Sequence, residues 1–377
     1  MTILQKFRRQ DTAAAKPSVP GLIGLDIGTS RIHLCQIRPL EQGRYSIFAK
    51  ASVEYRGSRT ELLADPKQMK RLIGVALRQK RFRGRRVVAL MPWEDVKIML
   101  LTYKSSVSDV DAEVVRMLSS RVDGAIDDYV VDYVPVRSNP SDEEHMVVAT
   151  VARKDRVNRL LNALIGCGLE VDSLDIAPTA LRRVVGALYT GHAADNVLLI
   201  HSYRDESYLT VISGRRLLFN QSVKFGEARL LGRISRELDI SADSARALVV
   251  DHGLEKQPLA QAVGAEGDGD ISATLLEIVK PCFLDLVNEI NRVLVFTAAE
   301  THGVPVSRVC LLGSLAHWPG AQQLLMSLLD LEQPDGQSEF YRVFQDEHDD
   351  TQIPWQGLFS DISIAMGLAL RGMISHE

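Results

Sequence analysis

Alternating apolar positions begin at residue 21. The segments GLIGLDIG (21–28), IHLCQIRP (32–39) and RYSIFAKASVEY (44–55) read as three strands joined by short turns. The pattern then changes period. Met69, Leu72, Ile73, Ala76 and Leu77 fall at helical spacing in PKQMKRLIGVALRQK (66–80), with Pro66 in the first turn. Between 85 and 176 the pattern is mixed. Strands are expected in RRVVALMP, VKIMLLTYK, YVVDYVPV and HMVVATVAR, with helices at DVDAEVVRMLSSRV, capped by Ser108, and at KDRVNRLLNALIGCG, closed by Gly166 and Gly168. This block suits a small α+β subdomain.

The opening pattern then recurs. NVLLIHSY, ESYLTVISG and RRLLFNQSVKFG form a second three-strand meander, with Ser213 and Gly214 at a hairpin turn. Helices follow at EARLLGRISREL and at SADSARALVVDHG, capped by Ser241 and stopped by Gly253. A loop, GAEGDGDISA, precedes a long helix expected over Thr274–His302, with Pro281 expected to kink it. The strand SRVCLLGS, the helix AQQLLMSLLD, a polar loop-like stretch EQPDGQSEFYRVFQDEHDDTQ and the helix DISIAMGLALRG complete the chain. A meander followed by helices thus appears twice, at 20–80 and 196–313. Two similar lobes imply a cleft between them as a ligand site.

Composition narrows the class. With 377 residues, 46% hydrophobic and 24% charged, the chain is neither disordered throughout nor a fibrous rod. A net charge of -4 excludes a strongly basic nucleic-acid binder and leaves room for a local basic patch. Cys35, Cys167, Cys282 and Cys310 stand far apart, which matches neither a zinc framework nor a disulfide scaffold and suits a reducing compartment. Residues 1–20 read as a basic, then Ala/Pro-rich disordered tail without the apolar core of a secretory signal. The longest uncharged run, Val309 to Leu329, is interrupted by Gly, Pro, His and Gln and is no membrane span. The expectation is a soluble cytoplasmic protein.

The turn LDIGTSR (25–31) is the sharpest motif. Asp26 at a strand end, followed by Gly28, Thr29 and Ser30, sets amides and hydroxyls where a phosphate can sit, with the carboxylate placed to hold hydrated Mg2+. The same residues also make an ordinary hairpin turn. LDIGTSRIHLCQI resembles the first phosphate motif of the actin-like ATPase superfamily, and especially of the PilM family of type IV pilus assembly. The resemblance runs through residues 21–373. It includes RVVALMP, VVDYVPV, GLEVDSLDIAPTALRRV, FNQSVKFGEARLLGRISRELDISADSARALV, LVNEINRVLVFTAAETHGVPVSRVCLLGSLAHWPG and ISIAMGLALRGM.

The resemblance implies an α/β fold of two actin-like lobes. The first would begin at 21–84, an α+β subdomain would be inserted at 85–176, and the second lobe with a closing helix would occupy 177–377. It also implies a nucleotide site at Asp26, Gly28, Thr29, Ser30, Ser202, Gly226, Gly313 and Ser314, with Asp26 holding the metal through water. Departures from the family pattern are concentrated there. His201, Ser202 and Tyr203 stand where the second phosphate loop carries Asp-x-Gly, His33 replaces a Lys, and Leu315 follows Gly313 and Ser314 where glycines are usual, its side chain expected to crowd the adenosine side. Gly-Gly-Glu becomes Gly226, Glu227 and Ala228. One carboxylate in place of two weakens metal binding and water activation. ATP and Mg2+ are therefore expected to bind weakly if at all, and turnover is expected to be little or none.

By the same resemblance the expected role is a cytoplasmic adaptor peripherally associated with the inner membrane. It would bind the cytoplasmic N-terminal tail of a PilN-like bitopic protein in a groove between the first lobe and the inserted subdomain. Pilus motor ATPases and a second copy of the chain are further candidate partners. The alternatives are an active ATPase or small-molecule kinase of this fold, an FtsA-like membrane-associated filament protein, and the cytoplasmic half of a type II secretion protein. RQKRFRGRR (78–86) holds six basic residues in nine. It reads as a solvated turn or, through Arg81, Arg83, Arg85 and Arg86, as a contact for an anionic membrane surface or an acidic partner. Met91-Pro92-Trp93 reads as strand-end packing, with partner docking as the alternative. His192 and His201 lack companions at metal-ligand spacing.

Overall fold

The computed structural model describes residues 19–79, 82–136, 143–188, 196–214, 216–254, 268–331, 340, 342–347, 355–371 and 373. His192 and Arg81 lie outside these residues. Strands β1 (Ile23–Ile27), β2 (Arg31–Pro39) and β3 (Tyr45–Glu54) form the expected antiparallel meander, with β1 buried at every position and β2 and β3 buried over continuous runs, so both faces of the sheet are covered. Helices α1 (Arg59–Ala64) and α2 (Pro66–Gln79) follow, α1 opening on a capping box of Ser58 and Glu61. β4 (Arg86–Leu90) then pairs parallel to β1.

Next come β5 (Val96–Lys104), α3 (Val110–Ser119), β6 (Tyr129–Val136), β7 (Glu144–Arg153), α4 (Lys154–Gly166), β8 (Glu170–Asp175) and α5 (Ala177–Leu188). The second meander is β9 (Asn196–Ser202), β10 (Ser207–Ser213) and β11 (Arg216–Val223). It is followed by α6 (Glu227–Leu238), α7 (Ala242–His252), α8 (Asp268–Glu300), β12 (Val306–Gly313), α9 (Ala321–Leu328), β13 (Phe344–Asp346) and α10 (Trp355–Ala369).

The two sheets repeat one plan. The first runs β13-β3-β2-β1-β4-β8 and the second β11-β10-β9-β12, so each has a meander whose first strand takes a parallel neighbour. A separate three-stranded sheet, β5-β7-β6, closes over α3 with its own small core of Leu101, Val114, Leu118, Val147 and Val151. The inserted unit is therefore narrower than the expected 85–176. β4 and β8, at the two ends of that range, pair with each other and with β1 in the first-lobe sheet.

Helices α5 and α10 lie between the lobes. Their core joins Val88 and Ile47 of the first sheet to Val197, Leu199, Ile212 and Leu312 of the second. α10 approaches so closely that a Cβ on Gly24 would sit 1.9 Å from the Ala365 carbonyl oxygen, and one on Gly367 would sit 2.0 Å from that of Ala180. Asp175, at the end of β8, ties this layer together. Its carboxylate accepts from Arg183 of α5 at 2.7 Å, from Arg371 after α10 at 3.1 Å and from the Ile176 amide at 2.8 Å.

Three further expectations change in detail. Asp109, one residue on from Ser108, caps α3 through the Ala112 amide. The long helix starts earlier, at Asp268, and runs helical through Pro281. The polar stretch 332–352 contains β13, because Phe340 and Phe344 bury against Tyr45 while Asp346 and Glu347 pair with Lys50 and Arg38.

Candidate functional site

Asp26 and His33 face each other across the β1–β2 register, at the mouth of the turn that carries Gly28, Thr29 and Ser30. The turn is closed by the Gly28 amide donating to the Arg31 carbonyl at 2.9 Å, and the hydroxyl-bearing Thr29 and Ser30 are exposed. Asp26 is 8% exposed and its Oδ1 has no hydrogen-bond partner among the described residues. Burial pushes its carboxyl above the ordinary range, against the opposing pull of His33 and Arg59. The buried Arg59 donates to the Ile27 carbonyl at 2.9 Å and pairs with Glu94, which follows β4.

The second lobe brings His201, Tyr203 and Gly313 to the same place. The His201 ring stacks on Tyr203 with centroids 4.5 Å apart and planes within 8°. Gly313 has φ +77, and a Cβ there would meet the Ser202 carbonyl oxygen at 2.1 Å and His201 Cδ2 at 2.7 Å. Ser314 Oγ donates to the carbonyls of Ser202 and Tyr203, both at 3.3 Å. A Cβ on Gly226 would meet the Arg204 carbonyl oxygen at 2.5 Å. Ser202, Gly226, Gly313 and Ser314 thus converge on the β9–β10 turn, opposite Asp26.

The amides at that turn are engaged within the chain. The Tyr203 amide donates to the Glu206 carbonyl at 2.9 Å, and those of Glu227 and Ala228 donate to Tyr203 and Arg204 at 3.0 and 2.7 Å. The Gly313 amide donates to Ser360 Oγ at 2.9 Å. Glu227 accepts from Trp318 Nε1 at 3.1 Å and from Arg246 at 3.0 Å, which anchors it. Leu315 does not crowd this side as expected. The positive φ of Gly313 turns the chain, and Leu315 is fully buried in the second-lobe core.

His201 is 8% exposed, and its Nδ1 lacks a partner among the described residues. Burial, with the nearby His33 charge, pulls its pKa from 6.5 down to about 4. The unfolded chain therefore binds the extra proton between those values, and stability should fall as the pH drops from about 6.5 to 4. The expected loss is about 2–3 kcal/mol, and His201→Leu should flatten it. Urea unfolding at several pH values reads this directly; an equal slope in both proteins would show that His201 does not control it.

Beside this junction an apolar cleft of about 440 Å³ opens. Met91, Trp93 and Val96–Met99 form one wall, the start of α5 (Ala177, Pro178, Leu181) the floor, and Tyr203, Tyr208 and Asn220–Ser222 the other wall. The cleft thus lies between the strand end after β4, the inserted unit and the second lobe. β5 and β11 each end their sheet, so among the described residues each has one edge with no strand paired to it. Trp93 packs on Tyr203 and Tyr208 with centroids 6.0 and 5.6 Å away, and its buried Nε1 donor has no acceptor among the described residues. Arg59, Glu94, Tyr203 and Tyr208 were not legible as site residues. The Ser-x-x-Glu cap at 58–61, the helix start that places Arg59, was the available signal.

Arg83 and Arg85 are exposed in the turn before β4, and Arg86, the exposed first residue of β4, pairs with Asp172. Among the described residues no cluster of three metal-ligating side chains occurs and no helix is long and apolar enough to cross a membrane.

Comparisons place the architecture. No curated protein matches the chain. A solved PilM–PilN type IV pilus biogenesis complex is similar over 94% of this chain and 99% of that one, with 20% identity and a TM-score of 0.71. The ethanolamine utilization protein EutJ of Carboxydothermus hydrogenoformans (13% identity, 96% and 94% coverage) and MreB5 of Spiroplasma citri bound to AMPPNP (11%, 93% and 95%) each reach a TM-score of 0.50. These likenesses bear out the actin-like two-lobe fold. The model of the family described as type IV pilus assembly protein PilM matches residues 24–373, the span over which the sequence carries the family's motifs and the structure both lobes and the insertion. The chain belongs to the PilM family of type IV pilus assembly proteins.

Proposed function

We propose that this PilM-family protein is a non-enzymatic adaptor that holds the cytoplasmic N-terminal tail of a PilN-like bitopic membrane protein. It sits in the cytoplasm at the inner membrane and links the pilus platform to its motor. The observation that carries this reading is the aromatic cleft. Among the described residues, two strand edges without a paired strand flank it, and Trp93 Nε1 is a donor without an acceptor within its lining. An extended peptide supplies what is missing: carbonyls for the donor, apolar side chains for the pocket and backbone groups for the rims. The similar complex with PilN supports the choice of partner.

The donor set at the lobe junction does not fit a magnesium nucleotide. The amides of Tyr203, Glu227, Ala228 and Gly313 are spent on neighbouring carbonyls and Ser360. Asp26, the carboxylate at the first phosphate turn, is shifted toward its protonated form and has the cation Arg59 near it. Immobilised tail peptide should therefore retain the protein without nucleotide. A fluorescent ATP analogue should bind weakly or not at all with or without Mg2+, and phosphate release should equal background. Steady turnover near one per second that disappears in Asp26→Ala would replace this reading with a working ATPase.

A further inference from the structure

The rings that face Asp26 across the lobe junction, His201 and Tyr203, also line the cleft. Gly313 stands behind them, and a Cβ there would come within 2.7 Å of His201 Cδ2. His201 lies flat on Tyr203, Tyr203 meets Trp93, and Tyr208 stands edge-on to Tyr203 with centroids 5.9 Å apart and planes at 90°. Gly313, His201, Tyr203 and Trp93 therefore form one column, which starts in the second lobe and ends on the strand end after β4.

Each end of the column is fixed to its own lobe. The Tyr203 carbonyl accepts from the Glu227 amide at 3.0 Å and from Ser314 Oγ at 3.3 Å. On the other side, the Met91 amide donates to the Asp175 carbonyl at 2.8 Å, and Glu94 pairs with Arg59, which donates to the Ile27 carbonyl at 2.9 Å. Trp93 sits between those two anchors. Among the described residues Tyr203 belongs to none of the apolar cores, so its ring does not fill the interior of its own lobe. Burial pushes its phenol up, and Asp26 and Arg59 of the first lobe lie near enough to act on it in opposite directions. The ring thus reaches across the junction.

We infer that the His201–Tyr203 stack is a brace, which bears from the second lobe on Trp93 and sets the spacing between the two walls of the cleft. Aromatic rings suit this task, since stiff, flat side chains with two torsions each hold a defined separation that flexible aliphatic chains do not. The spacing is then a property of the protein's own side chains, and a peptide meets a preformed site, which lowers the ordering cost of binding. This deepens the adaptor reading and rests on it only for what the cleft binds.

Amide hydrogen exchange of the full chain, measured without peptide, tests the brace. In Tyr203→Ala the amides of residues 91–97 should exchange about tenfold faster than in the wild type, because the wall they form loses its support. Trp93→Ala removes the same contact from the other side and should match it. Tyr203→Phe keeps the stack and should behave as the wild type. The amides of α8, which packs in the second-lobe core, should be unchanged in all three variants. Three results would each overturn the brace. The first is exchange of residues 91–97 within about twofold of the wild type in Tyr203→Ala. The second is a Tyr203→Phe variant as fast as Tyr203→Ala, which would assign the effect to the hydroxyl. The third is a matching acceleration in α8, which would make Tyr203 part of the second lobe's own packing. No peptide enters the measurement, so the two readings fail separately: a tail that does not bind leaves the brace standing, and a failed brace leaves the tail titration to decide the site.

Discussion

Asp175→Ala should lower the stability of the protein by about 3–5 kcal/mol, because it removes the buried carboxylate that Arg183, Arg371 and the Ile176 amide share. Arg183 is 5% exposed and also donates to the Gly367 carbonyl at 3.5 Å. Burial alone would raise the Asp175 carboxyl. Arg183, Arg371 and the Ile176 amide more than offset this and hold it below 3.8. Its folded-state pKa is thus depressed, so its contribution is fully present above about pH 4 and is lost as the pH falls further. Urea denaturation at pH 7 of Asp175→Ala, and of the double variant Asp175→Leu with Arg183→Met, separates the effects. The single variant should be strongly destabilised and the apolar pair much less so. Equal losses in both would mean that packing, not the charge imbalance, sets the cost. The same substitution should also loosen the cleft. It removes the carboxylate that accepts from the Ile176 amide at 2.8 Å at the start of α5, while the main-chain carbonyl of residue 175 still accepts from the Met91 amide.

Trp93→Ala should weaken binding of the PilN-like tail about 30-fold or more while leaving the unfolding transition nearly unchanged. Its ring stands between the inserted unit and Tyr203 and Tyr208 of the second lobe, and it combines a large apolar face with a donor that has no acceptor among the described residues. Those are the properties of a binding hot spot, worth about 2 kcal/mol or more on truncation. Trp93→Phe keeps the apolar face and removes the donor, so it should fall between the two. Fluorescence titration with labelled tail peptide measures all three. Wild-type affinity in Trp93→Ala would remove the cleft as the peptide site.

The two lobes were legible in the sequence because each meander alternates apolar and polar positions and closes with local turns. The extent of the inserted unit was not. β4 and β8 pair in parallel with partners far along the chain, and no local period distinguishes them from β5 and β7. β13 was hidden by its length of three residues in a polar stretch, although Phe340 and Phe344 mark its buried side. In the site, Asp26 and its turn were visible as a contiguous motif. The cleft was not, since Trp93, Pro178 and Tyr208 come from three separate units and meet only through the tertiary fold. Leu315 was misplaced for a related reason. Its direction depends on the positive φ of Gly313, which a glycine permits but does not announce.

Isothermal titration calorimetry of the nucleotide-free full-length protein with a peptide of the PilN-like cytoplasmic tail tests the adaptor role most directly. Binding of one peptide per chain at micromolar affinity, unchanged by ATP and Mg2+ and lost in Trp93→Ala, is the expected result. A folded protein that shows no heat of binding at high micromolar peptide, or that binds only when a magnesium nucleotide is supplied, would contradict it.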